Sequence, residues 1–275
     1  MEEKNANKTT AIGIDELWIV LKAVVGFSII RILTSGTKML PGIYGEILSV
    51  VLFTGWIYLN FKRVAKNEGY TLAECRVTKP KISLRDIMFV FCFLFLQYWI
   101  ISLSAERIIY TGQSMFEIIS LSMSKILKSG IGSGLNEEVV FRGYLLKSLE
   151  DKIGIKKAIL LSSFVFGIMH ILNGNMTLWM MILVSIGAGS LGAMFAVLTY
   201  ETGSIWRAVL MHAACNLSSL VVGYEMGNRL LVMNLSGGIT NEKIFCMSYA
   251  VSSALCMIVI LGYWVRRRNL AKKHS

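Results

Sequence analysis

Met88-Phe89-Val90-Phe91-Cys92-Phe93-Leu94-Phe95-Leu96 is an unbroken apolar run inside a longer apolar stretch, 86–105. About 20 mostly apolar residues are needed to cross a bilayer as a helix. Working outward, seven further stretches qualify on the same ground: 14–34, 43–61, an interrupted one at 115–148, 157–173, 177–200, 204–223 and 243–265. The chain is 55% hydrophobic and 16% charged, against about 25% charged in a soluble domain. Only Pro41 and Pro80 interrupt helix formation. The expected fold is all-α, a polytopic membrane protein with about eight transmembrane helices. Three parts are expected: N-terminal membrane helices over 1–114 with a basic loop at 62–85, a helical core over 115–223, and a last part, 224–275, with an outside loop, the final span and a basic tail.

The net charge of +11 does not point to nucleic acid. Seven of the 28 basic residues fall between Lys62 and Arg85, four between Lys147 and Lys157, and five in the tail from Arg266 to Lys273. Basic clusters beside spans set orientation and meet anionic lipid. With the N-terminus inside, the loops left outside hold only Lys38, Arg107 and Arg229, so both termini are expected to be cytoplasmic in a multi-pass protein of the cell membrane. No cleavable leader is expected, because the run after Thr10 contains Lys22 and lacks a small-residue cleavage pattern. The five cysteines form no CxxC pair and read as small apolar residues. Gly187-Ala188-Gly189-Ser190-Leu191-Gly192 matches GxGxxG. It lies inside an apolar helix without the strand a dinucleotide site needs, so it reads as a helix-packing surface.

Against this apolar background the expensive residues stand out. Asn136-Glu137-Glu138-Val139-Val140-Phe141-Arg142 places two carboxylates and a guanidinium within the interrupted span. A charged side chain at the centre of a membrane helix costs about 2.5–3.5 kcal/mol on insertion scales, which makes such residues functional candidates. Glu138 and Arg142 are spaced i, i+4 in the favourable order and are expected to pair as a support. Glu137 lies about 100° round the helix, is left out of that pairing, and suits a general base. His170 closes the span 157–173, and His212 is followed one turn later by Asn216 on the same face. His170 can position a water with Glu137, while His212 and Asn216 can meet a developing oxyanion. Glu137, His170, His212 and Asn216 are therefore the expected catalytic set for amide hydrolysis. Glu137, His170 and His212 are equally a His₂Glu donor set with an open position, as catalytic zinc prefers. The residues leave two cofactor states open: none, with water activated by glutamate, or a divalent metal such as zinc. The glycine-rich 130–134 stretch reads as looser than a regular helix, a hinge or substrate entrance.

Glu137-Glu138-x-x-x-Arg142, Phe166-x-x-x-His170 and His212-x-x-x-Asn216, in that order on successive membrane helices, resemble the CPBP intramembrane protease family, also known as the CAAX-protease and bacteriocin-processing or Abi family. The flanks Phe141-Arg142-Gly143-Tyr144-Leu145 and Thr202-Gly203-Ser204-Ile205-Trp206 fit as well, and the likeness covers about 135–217. The resemblance implies a membrane endopeptidase with Glu137 as water-activating base beside His170, His212 with Asn216 on the oxyanion side, and Glu138 with Arg142 in support. The family is commonly labelled metalloprotease, and a metal-free, glutamate-dependent mechanism has also been proposed for it. The expected partners are the lipid bilayer and a peptide or protein substrate arriving from lipid or cytoplasm. The low proline and lysine-rich composition favours bacteriocin or pheromone precursors, or self-immunity, over prenylated proteins. Two other readings compete: a non-catalytic scaffold or immunity protein of the same fold, and a proton-relaying transporter, for which two homologous halves would be expected and none is visible.

Overall fold

The computed structural model describes residues 13–35, 42–173, 176–223, 231–235 and 241–273. Lys38 and Arg229, used above to orient the chain, and residues 1–12 lie outside these. Among the described residues the helices are α1 (Ile14–Ser35), α2 (Gly42–Asn67), α3 (Leu84–Ser102), a long interrupted rod over 115–153, α7 (Ile155–Met169), α8 (Leu178–Thr202), α9 (Trp206–Val221) and α10 (Asn241–Lys273). The rod is built of α4 (Met115–Lys125), a π-helical segment Ile126–Leu135, the single turn α5 (Asn136–Glu138), a second π segment Val139–Leu145, and α6 (Leu146–Ile153).

Local chemistry sets the ends. Ser83 and Ser114 each begin a helix with a capping box, closed by Asp86 and Glu117 respectively, so that orphan N–H groups of the first turn are met on both sides. Thr177 caps α8 through the Met180 amide. Gly154 (φ +76°) separates α6 from α7, and Gly203 (φ +64°) ends α8; both need the left-handed half of backbone space, which glycine enters at no steric cost.

The all-α reading holds, with two amendments. Among the described residues, five helical stretches are long and apolar enough to cross a membrane: Tyr44–Asn67, Leu84–Ser102, Ile155–Leu172, Leu178–Thr202 and Cys246–Leu270. The expected eight are not reached by this measure. Of the other three, α1 carries Asp15, Glu16, Lys22 and Arg31, the 115–153 rod is broken by π turns, and α9 has 16 residues. The second amendment is a small sheet. Strand β1 (Ala105–Tyr110) pairs antiparallel with β3 (Leu231–Leu235), which pairs parallel with β2 (Val222–Gly223), in the order β1-β3-β2.

Two apolar cores flank the rod's acidic turn. In one, Ile19, Ala23 and Phe27 of α1 and Phe53, Ile57 and Phe61 of α2 pack on Phe141, Tyr144, Leu145 and Leu149. In the other, Val90 and Phe93 of α3 meet Met194, Phe195 and Leu198 of α8, Ala208 and Met211 of α9, and Cys256 of α10. The glycines of α8 are packing notches. Gly187 lies under the Tyr249 ring, and Gly189 faces the backbone of α7 at Ser163 and Gly167. A methyl on Gly167 would run into the Ser185 carbonyl oxygen and stand 3.1 Å from the Gly189 amide nitrogen. Gly167→Ala should therefore force α7 and α8 apart and destabilise by about 1–3 kcal/mol, the usual cost of overpacking. Thermal unfolding of the two proteins in the same detergent checks this, with a lower midpoint expected for the variant.

Residues 68–83 connect α2 to α3 and lie against the turn that opens α9. The Arg76 carbonyl accepts from the Ile205 amide at 3.0 Å. Trp206 Nε1 donates to the Thr78 carbonyl at 2.6 Å, and the Thr78 and Ser204 hydroxyls meet at 2.8 Å. Arg76 itself, at φ +58°, reaches Glu150 at 2.6 Å. Cys75 is fully buried in this connection, and burial pushes its thiol up to about 11, so it packs rather than reacts. All five cysteines are free; Cys75 and Cys256 are buried and Cys92 is exposed.

Candidate active site

Asn136, Glu137 and Glu138 form one helical turn between two π segments, and all three are buried. A π turn breaks the ordinary i→i−4 ladder and recurs at functional sites. Here the first π segment presses on α9. A Cβ on Gly134 would stand 3.2 Å from the Ala213 amide nitrogen, so only glycine lets the two backbones approach this closely. Asn216 fastens the same contact, donating from Nδ2 to the Ser129 carbonyl at 3.0 Å.

Glu138 is completely buried and Arg142 is 1% exposed. The guanidinium approaches Glu138 Oε1 at 3.2 Å. Its faces are met by rings, Phe166 at 4.1 Å, Phe195 at 5.3 Å and Phe141 at 5.8 Å. A planar, delocalised cation suits such a cage better than an ammonium. Gly192 makes room for it, since a Cβ there would lie 3.0 Å from Arg142 Nη2.

The same Glu138 oxygen meets His212 Nδ1 at 2.8 Å. An ionised carboxylate only accepts, so Nδ1 carries the proton. This leaves His212 Nε2 facing Glu137, 3.8 Å from Oε2. The His212 ring is stacked on Phe195. His170 is fixed in the same way: Nδ1 lies 2.8 Å from the Phe166 carbonyl, a group that can only accept, so the Nε2 lone pair is the one left for the site. Glu138 thus does more than pair with Arg142. It links the rod to α9 and sets the tautomer of His212, a connection that i, i+4 spacing along one helix could not disclose.

Glu137, His170, His212 and Asn216 all line one cavity of about 650 Å³. Glu138 and Arg142 stand behind it. Lys125, Ser129 and Ser133 from the rod, and Tyr249 from α10, line it too and were not singled out from the sequence. The available signal was the four-residue interval from Lys125 through Ser129 and Ser133 to Glu137, which a regular α-helical register obscures.

Two imidazole nitrogens and a carboxylate have the chemistry of zinc ligands. Among the described residues, however, no group of three or more His, Cys, Asp or Glu side chains is placed to hold a metal ion. The site as it stands does not fit that use.

Residues 119–218 match the family model described as type II CAAX prenyl endopeptidase Rce1-like. Among curated proteins none matches the chain. The matched segment contains Glu137, Glu138, Arg142, His170, His212 and Asn216. Over residues 119–218, then, this multi-pass membrane chain is similar to the type II CAAX prenyl endopeptidase Rce1-like family.

Proposed function

We propose that the chain is an intramembrane endopeptidase in which Glu137 activates water for attack on a peptide carbonyl. The observation that carries this reading is the shared cavity: a buried carboxylate beside two imidazoles whose Nδ1 protons are already committed.

Glu137 accepts a proton from water, and the resulting hydroxide oxygen bonds to the carbonyl carbon while the carbonyl electron pair moves to oxygen. His170 Nε2 accepts the water's second O–H and so orients its lone pair. The oxyanion takes a hydrogen bond from the Asn216 side-chain amide. His212 can donate towards it only with both nitrogens protonated, one N–H facing Glu138 and the other the cavity. As the C–N bond breaks, the proton held by Glu137 passes to the leaving nitrogen, giving a free amine and a carboxylic acid. Glu138 and Arg142 position His212 and do not touch substrate.

The working unit in this proposal is the core 115–223, with the N-terminal helices and α10 around it and both termini on the cytoplasmic side. Its substrates are membrane-associated peptides or protein tails, of which bacteriocin or peptide precursors, or peptides neutralised in self-immunity, are the favoured class. The test is Glu137→Ala in the full chain, scored for membrane abundance and for peptide products by mass spectrometry after reconstitution in vesicles. Loss of product at normal abundance supports catalysis. Unchanged products would remove Glu137 from the chemistry, and an unchanged cellular phenotype with no product even from the wild-type chain would instead support a scaffold that binds without cutting.

A further inference from the structure

The rod carries a polar row of which this mechanism uses only the last member, Glu137. Lys125, Ser129, Ser133 and Glu137 recur at four-residue intervals and all four line the same cavity. In a regular α-helix, twelve residues make three turns plus about 120°, so Lys125 would face well away from Glu137. The segment between them, Ile126–Leu135, is π-helical. Its wider turns hold more residues each, and the four-residue interval stays on one face. The break in α-helical geometry therefore brings Lys125 to the wall of the cavity that contains Glu137. Among the described residues lining it, Lys125 is the one lysine or arginine. It is half-buried, whereas Arg142 is sealed behind the wall by its ring cage.

We infer that Lys125 is a specificity-determining residue that binds a carboxylate of the substrate, while Ser129 and Ser133 follow the peptide between that anchor and the bond cut at Glu137. This deepens the peptidase reading and rests on it. The axial separation of Lys125 and Glu137 is at most about 18 Å at the α-helical rise. An extended peptide advances about 3.3 Å per residue, so the anchored carboxylate lies within about five residues of the cleaved bond. Its source is either the substrate's C-terminus or an acidic side chain. The two are the same chemistry at the ammonium and differ in what the experiment must vary.

The probe is a dansyl-labelled eight-residue peptide of leucine, valine and alanine in three forms: free C-terminal acid, C-terminal amide, and C-terminal amide with one aspartate three residues from the end. Binding is measured in nanodiscs to the full chain carrying Glu137→Gln, so that cleavage does not intrude. At least one carboxylate-bearing form should bind roughly tenfold more tightly than the plain amide, the range of a hydrogen bond to a charged partner. Adding Lys125→Gln should erase the difference and Lys125→Arg should keep it. Preference for the acid alone assigns the C-terminus, and equal preference for the aspartate form assigns any nearby carboxylate. Equal binding of all three peptides, no binding of any, or a preference that survives Lys125→Gln overturns the assignment. Incubating the wild-type chain with the same peptides separates the two claims. Carboxylate preference without cleavage keeps the anchor and removes the peptidase reading; cleavage indifferent to the carboxylate does the reverse.

Discussion

Glu137→Gln should lower kcat by roughly 10²- to 10⁴-fold, the usual worth of a positioned general base, and leave KM little changed. Glutamine has nearly the shape of glutamate, so the 3.8 Å approach to His212 Nε2 survives and the cavity keeps its walls. What goes is the ability to take a proton from water and return it to the leaving nitrogen. Both steps fail together, which places the loss in kcat rather than in binding. Steady-state kinetics on a reconstituted substrate, paired with thermal unfolding of the same preparations, checks the result. A variant that unfolds at the wild-type temperature yet turns over near the wild-type rate would remove Glu137 from the chemistry.

Arg142→Ala should be the most destabilising single change in the core. It leaves Glu138, wholly buried, with an uncompensated charge, and breaking a buried pair from one side costs about 3–5 kcal/mol. It also empties a space between Phe141, Phe166 and Phe195 that the guanidinium fills. The double variant Glu138→Gln with Arg142→Met should recover much of that stability, because the charge and its partner leave together. The double variant should still lose activity, since the weaker acceptor at 138 no longer holds the His212 tautomer firmly. Thermal unfolding and kinetics on the single and double variants form the cycle. Equal stability of Arg142→Ala and the double variant would show that the stranded carboxylate is not what unfolds the core.

The parts of the molecule that follow from helical periodicity were legible in advance. The long apolar stretches became helices, Glu138 and Arg142 pair one turn apart, and His212 and Asn216 reach the same cavity from one face of α9. What could not be read depends on contacts between elements or on departures from α-helical geometry. Hydropathy does not reveal a π turn, so the row from Lys125 to Glu137 was hidden by the wrong angular increment. Glycine at 130–134 suggested looseness, yet Gly130, Gly132 and Gly134 are buried, and Gly134 lies against Ala213. Tyr249 comes from α10, beyond the segment that carries the motifs. The strands Ala105–Tyr110 and Leu231–Leu235 are short and do not alternate polar with apolar residues, so nothing local distinguished them from loops.

The fastening of residues 76–78 onto the start of α9 bears on how the protein is handled. By hydropathy the stretch between α2 and α3 is the natural place to insert a reporter for mapping which side of the membrane it faces. Its main chain, however, holds the first turn of the helix that bears His212. A tag placed there would tilt the helix that bears His212 while leaving every span in the bilayer, and a loss of function would then be misread as a topology result. Reporters belong beyond the end of α10 instead.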